Sequence, residues 1–141
     1  GIGMVLPPPL DPEQDPPPIR ERNLMKILVN AQGLVLMDEQ PVPVGEVKAK
    51  LIEFIDNPEN SEELAVSPEA AIVSLKTQRE TPYNIYIDML DEVMGAYEDL
   101  RNSASRANYG VDYDKLKPES PQQKHIKDMY PKKISIAEPD S

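Results

Sequence analysis

The sequence predicts an α+β domain of two layers, a mixed β-sheet with two main helices on one face, carried on a proline-rich N-terminal tether. Three observations lead there. Ala71, Val73, Leu75 and Thr77 alternate with Ile72, Ser74, Lys76 and Gln78, the period of two that marks a strand. Ile85, Met89, Val93, Ala96 and Leu100 then recur at helical spacing, and Tyr86, Leu90 and Tyr97 widen the stripe. The 16 prolines of the 141 residues are uneven, with a cluster from Pro7 to Pro18 that no ordinary folded layer accommodates.

Residues 1–22, GIGMVLPPPLDPEQDPPPIRER, read as the tether. Consecutive prolines fix φ, remove amide donors and hold the chain in semi-extended polyproline II at roughly 3 Å per residue. Residues 23–141 are the expected folded domain. Met25, Ile27 and Val29 alternate with Lys26 and Leu28 in a first strand, and Asn30-Ala31-Gln32-Gly33 is a hairpin turn with Gly where φ must be positive. Leu34 to Met37 returns as the second strand, and Pro41 and Pro43 are expected to end that pairing. A helix follows from about Val44 to Asp56, striped by Val44, Val47, Leu51, Phe54 and Ile55 and stopped at Asn57-Pro58.

Ahead of the long helix, Thr81 is placed to accept from the first free helical amides, and Pro82 sits where its missing N–H costs nothing. Gly110 is the natural stop. After an irregular stretch, Ser120-Pro121-Gln122-Gln123 is a capping box that opens a short third helix, Pro121 to Tyr130. Lys133 to Ala137 alternates again as a last strand, giving the order ββαβααβ.

A net charge of −10 argues against a nucleic-acid partner, which needs a basic footprint. The charge is patterned. Asp56 to Glu69 holds five acids and no base, whereas Lys115 to Lys133 holds six lysines against Glu119 and Asp128. Both runs read first as solvated faces; the lysine run also suits an acidic partner or an anionic wall polymer. The absence of cysteine excludes disulfides and thiol chemistry. No apolar run approaches the roughly 20 residues needed to cross a bilayer.

No constellation for catalysis emerges. The one histidine, His125, lacks a second His or a carboxylate at ligand spacing and reads as a surface residue. Asp88 and Glu92 stand four apart with Asp91, Glu98 and Asp99 nearby, but beside the apolar stripe they read as a solvated face. There is no nucleophile elbow, phosphate-binding glycine loop or paired-histidine zinc motif, so no catalytic residue, metal or cofactor is expected. Tyr83, Tyr86 and Tyr97 are expected in the core or at its edge, and Met25, Met37, Met89, Met94 and Met129 as gap fillers. Tyr109, Tyr113 and Tyr130 are either exposed contacts or packing under a loop.

The strand Ala71–Gln78, the turn TQRETPY and the helix IDMLDEVMGAY resemble the periplasmic domain of the ExbD/TolR family. Leu100-Arg101-Asn102, and later Tyr130-Pro131, Ile134 and Glu138-Pro139, are similar to the longer ExbD-like members. The resemblance implies a non-enzymatic subunit of an inner-membrane motor driven by the proton gradient, facing the periplasm. It also implies an ExbB-like channel partner, a TonB-like protein to drive and a homodimer. The proton-carrying carboxylate would lie on a membrane helix upstream of Gly1, and the apolar opening Gly1 to Leu6 would be that helix's outer end. Val5, Leu6 and Pro7 match the end of a short family segment that lies against the folded domain, although Pro8 and Pro9 depart from it. These three, with Tyr113, Lys124 and Lys127, are the candidate partner contacts. A TolR-like subunit, or a wall-binding or adaptor module on a tether that also engages peptidoglycan, is the alternative; a small hydrolase has no residues to support it.

Overall fold

The computed structural model describes residues 21–140. Val5, Leu6 and Pro7, with the rest of the proline-rich segment up to residue 20, lie outside the described residues. The elements are β1 (Leu24–Val29), β2 (Val35–Met37), β3 (Gln40–Pro41), α1 (Val47–Asp56), β4 (Ile72–Gln78), α2 (Tyr83–Tyr109), α3 (Pro121–Met129) and β5 (Ile134–Asp140). The five strands form one sheet in the order β3-β2-β1-β4-β5. The hairpin side, β1 with β2 and β2 with β3, is antiparallel, while β1 with β4 and β4 with β5 run parallel. The mixed pattern follows from the connections. A tight turn returns the chain antiparallel, and each parallel step passes through helical crossover segments.

Alternation decides which sheet face is covered. Met25, Ile27 and Val29 of β1, Val35 and Met37 of β2, and Val73 and Leu75 of β4 are buried. They join Val47, Leu51, Phe54 and Ile55 of α1 and Met89, Val93, Ala96, Tyr97 and Leu100 of α2 in one core. Their neighbours Lys26, Leu28, Leu36, Ser74 and Lys76 are half-buried or exposed on the other face. Both main helices therefore cover the same side. They approach closely at Gly95, where a Cβ would stand 3.2 Å from Lys48 Cδ. Two polar contacts fix their register: the Lys48 amide donates to Glu92 Oε1 at 3.0 Å, and Lys48 Nζ pairs with Asp99 at 3.1 Å.

The β1–β2 turn bears out the expected glycine. Gly33 has φ of +83°, and Asn30 Oδ1 accepts from the amides of Gln32 and Leu34 at 3.0 and 2.9 Å. A Cβ at Gly33 would sit in ordinary contact with Pro82 and Ile85 at the start of α2, so it is φ that would strain a side chain there. The α2 stop at Gly110, with φ of +78°, and the Ser120 cap also hold. Ser120 Oγ accepts from the Gln123 amide, while Gln123 Oε1 accepts from Glu119 N.

Five expectations are corrected. Pro41 does not end the sheet but forms β3 with Gln40, because Asp38 and Glu39 both adopt positive φ and make a two-residue turn. Residues Val44–Glu46 form a 3-10 turn, and α1 begins only at Val47. Thr81 is not a helix cap: its hydroxyl accepts from the Gln78 amide and donates to the Val29 carbonyl, each within 2.8 Å. Thr81 thus ties the end of β4 to the end of β1. Tyr83 is not core, since its place at the first residue of α2 lifts it off the sheet, 74% exposed. Met94 is likewise exposed rather than filling a gap.

Val93 lies at the centre of the α2 stripe with no exposed surface, whereas Leu90 is half-buried. Val93→Asp is expected to destabilise the domain by about 3 kcal/mol or more, because the carboxylate would have no partner. Leu90→Asp should cost clearly less. Urea unfolding of both variants checks the ranking; equal midpoints would overturn the assigned face.

Candidate functional site

Candidate site residues Tyr113, Lys124 and Lys127 all fall on the second half of the molecule, where α2 runs beyond the sheet. At 27 residues α2 spans roughly 40 Å, more than the sheet can cover. Its far end needs its own packing, and a second small core supplies it: Ala104, Leu116 and Ile126 are buried together, with Tyr113, Met129 and Tyr130 against them.

Arg101 joins the two cores. It is 8% exposed, and its Nε and Nη2 donate to the Tyr130 carbonyl at 3.1 and 2.9 Å. The guanidinium also lies 5.2 Å from the centroid of the Tyr113 ring. A buried charge with two good hydrogen bonds and a ring face is a satisfied one. Tyr113 is further held by its amide, which donates to Asn102 Oδ1 at 2.9 Å. It is half-buried packing beneath the η-turn Tyr113–Lys115, the second of the two readings its sequence position left open.

Lys124 and Lys127 stand on the exposed side of α3. Lys124 pairs with Asp128 one turn on at 2.8 Å. Lys127 is near Lys132, whose ammonium is lowered from the usual lysine value by burial, then by Arg101 and by Lys127, against an opposing pull from Glu98. The structure thus brings Lys127, Lys132 and Arg101 into one positive region, with Tyr113 beneath Arg101. His125 is exposed, as expected, but not isolated: Tyr109 Oη meets its Nδ1 at 2.7 Å, with the rings edge to face.

Sequence reasoning missed the links between this module and the acidic run. Tyr130 Oη donates to Asp56 Oδ1 at 2.9 Å, and Lys133 Nζ donates to the Glu69 carbonyl. The acidic segment is also pinned. Asn57, with φ of +40°, donates from Nδ2 to the carbonyls of Ser61 and Ala65 and accepts from the Ser61 amide. Arg22 donates to the carbonyls of Leu64 and Ser61 at 2.8 and 3.0 Å, and Asn23 Oδ1 accepts from Val66 N at 2.8 Å. Glu92, read as solvated, caps the first turn of α1. Asparagine's place after a helix was the one available signal. The other partners lie 39 or more residues apart and leave no local pattern.

Two phenols are strongly perturbed. Burial pushes Tyr97 up to about 12, against the Lys133 backbone amide and Arg101, which both lower it. Tyr130 also rises to about 12, first through burial, then through its bond to Asp56 and the charges of Asp56 and Glu69. Among the described residues no group of three or more carboxylates and histidines is placed to hold a metal ion.

The family model described as biopolymer transport protein ExbD/TolR matches residues 2–101. The chain belongs to the ExbD/TolR family. Its members are membrane-anchored, non-enzymatic subunits that transduce energy for biopolymer transport. No curated protein matches the chain significantly. No helix among the described residues is long and apolar enough to cross a membrane. The family match takes in β1 to β4, both main helices as far as Arg101, and nothing of the second core.

Two predictions follow from this geometry. Arg101→Met leaves the Tyr130 carbonyl without its donors and should cost roughly 1.5–3 kcal/mol. Amide exchange should speed selectively in residues 113–130 while β1 and β4 keep their protection; uniform loss across the sheet would contradict a local tie. The raised phenols set an alkaline limit. Both hold their protons in the fold at pH values where unfolded tyrosine, near 10, has lost them. Their stabilisation is therefore complete below pH 10 and disappears as pH rises through about 12. Thermal melts should fall over that window, and the Tyr97→Phe, Tyr130→Phe double variant should show a shallower fall.

Proposed function

We propose that this domain works in the periplasm as the coupling part of an ExbD-type subunit. Its motor sits in the bacterial inner membrane, is driven by the proton-motive force and energises TonB-dependent transport across the outer membrane. The observation that carries the reading is the family match over residues 2–101, which takes in β1 to β4, α1 and α2 as far as Arg101. The role is one of contact and force transmission rather than chemistry. An anchoring membrane helix, supplying the proton-carrying carboxylate, would join the ExbB-like channel subunit. Residues 1–22 would tether residues 23–141, and the domain would pair with a second copy.

The ExbD-type reading, rather than a TolR-type one, is supported by the added helix and strand at the C-terminus, α3 and β5. In this reading Val5, Leu6 and Pro7 of the tether contact a folded domain, and Lys124, Lys127 and the solvent-facing part of half-buried Tyr113 belong to the face turned to the TonB-like protein. Peptidoglycan is the partner in the wall-binding alternative.

The test is genetic and direct. Deleting the gene, in the organism that carries it, should abolish energised uptake through the outer membrane, and the full-length protein should restore it. A photo-crosslinker at Lys127 in that full-length protein should trap a TonB-like protein in energised cells. Intact uptake with a leaky outer envelope would favour a TolR-type role and overturn the ExbD-type one. Crosslinks to peptidoglycan alone would favour the wall-binding role.

A further inference from the structure

Between α2 and α3 the chain makes the η-turn Tyr113–Lys115, which sends Leu116 inward and Lys115 and Lys117 outward. Leu116 is 9% exposed in the second core. On the other side of Gly110, Tyr109 and Val111 keep 37% and 41% of their surface in solvent. Together with Gln122 at the start of α3, these residues line an open groove of about 440 Å³. Its base is apolar and its rim carries two cations. Neither Lys115 nor Lys117 pairs with an acid among the described residues.

The charge of the whole chain makes that rim distinctive. Residues 115–133 carry +4 within a total of −10, so the remainder carries −14. A negatively charged partner is repelled by most of the surface and drawn to this end, which selects both partner and orientation. Carboxylates alone would leave Tyr109 and Val111 wet, so the complementary ligand carries an apolar group between its charges. A flat anionic membrane fits poorly, because the remaining −14 opposes its approach to a broad face of the chain.

We infer that the Tyr109–Leu116–Lys117 groove docks an acidic peptide segment with one apolar anchor residue seated between flanking carboxylates. The groove lies wholly beyond residue 101, outside the family match, and the inference does not rest on the transport reading.

Fluorescence anisotropy of the intact chain tests it with a labelled eight-residue peptide of Glu and Asp around a central Leu. Saturable binding is expected. Replacing the peptide's Leu by Ser should weaken it roughly tenfold, the equivalent of partial burial of one aliphatic side chain. The Lys115→Gln, Lys117→Gln double variant should weaken it roughly fivefold or more, as expected for two exposed ion pairs. Both substitutions are on the surface, and circular dichroism confirms the fold. Lys50→Gln, an exposed position of α1 outside the groove, should leave binding within about twofold, the effect of one screened charge at a distance. The inference is overturned if no binding saturates, if the Ser peptide binds as tightly, or if Lys50→Gln weakens binding as much as the double variant. It is also overturned if phosphatidylglycerol vesicles bind the chain and the peptide does not displace them.

Discussion

Tyr130 receives two N–H bonds on its carbonyl from a guanidinium that has almost no contact with water, and the placement of four elements depends on that contact. Tyr130 ends α3, so fixing its carbonyl fixes where that helix stops against α2. Pro131 follows, and within three residues the chain enters β5, which lies beside β4 through the Val73 amide bond to the Lys133 carbonyl. The Tyr130 hydroxyl reaches back to Asp56 at the end of α1. One residue thus touches α1, α2 and α3 and sets the entry to the last strand. The cost of burying Arg101 is met by hydrogen bonds and a ring face rather than by a carboxylate. The node therefore keeps its positive charge, which lowers Lys132 and adds to the cationic end of the molecule.

The local patterns were legible in the sequence because their causes are local. Alternation in Ala71–Gln78 and the stripe from Ile85 to Leu100 follow from backbone periods, and in both most inward residues are buried, with Thr77 and Ile85 half-buried at their ends. Gly33, Gly110 and Ser120 mark their turn, stop and cap because each answers a need of the adjacent peptide groups. The misses have equally physical reasons. The Asp38-Glu39 turn lacks the usual glycine, yet Asp38 is compensated across the sheet: its amide donates to the Lys26 carbonyl, and its carboxylate accepts from the Lys26 amide. Thr81 has the composition of a cap, but the Val29 carbonyl and Gln78 amide compete for its hydroxyl and win. Glu92, Arg22 and Arg101 look like ordinary surface charges in a linear chain; only folding supplies a free helix amide or an exposed loop carbonyl for them to meet.

The candidate contacts were less legible than the fold for the same reason. A lysine run reads as a solvated face whether or not it binds anything. What the fold adds is that Lys115 and Lys117 border an apolar groove while Lys124 is paired with Asp128, distinctions that composition cannot make. Tyr113 had two open readings, and the Arg101 contact accounts for its ring as packing.

A subunit that transmits force is better served by stiffness than by a catalytic pocket, and the long connection between α1 and β4 is fixed at several points. The acidic segment from residue 57 to residue 69 has little regular structure, yet Asn57, Arg22 and Asn23 bind its backbone at Ser61, Leu64, Ala65 and Val66. These bonds go to main-chain groups, so they fix the path of the loop while its glutamates remain in solvent. Arg22 lies just ahead of β1, so a pull from the N-terminal side would reach the loop carbonyls and β1 together. Load would then enter the sheet along the axis of its central strand, where β1 is bonded on both sides, to β2 and β4. Extracting β1 endwise requires shearing two ladders at once. A peripheral strand such as β3, with only two residues paired, would peel first under the same load. The position of β1 in the sheet order is thus itself a mechanical argument for the domain as a coupling element.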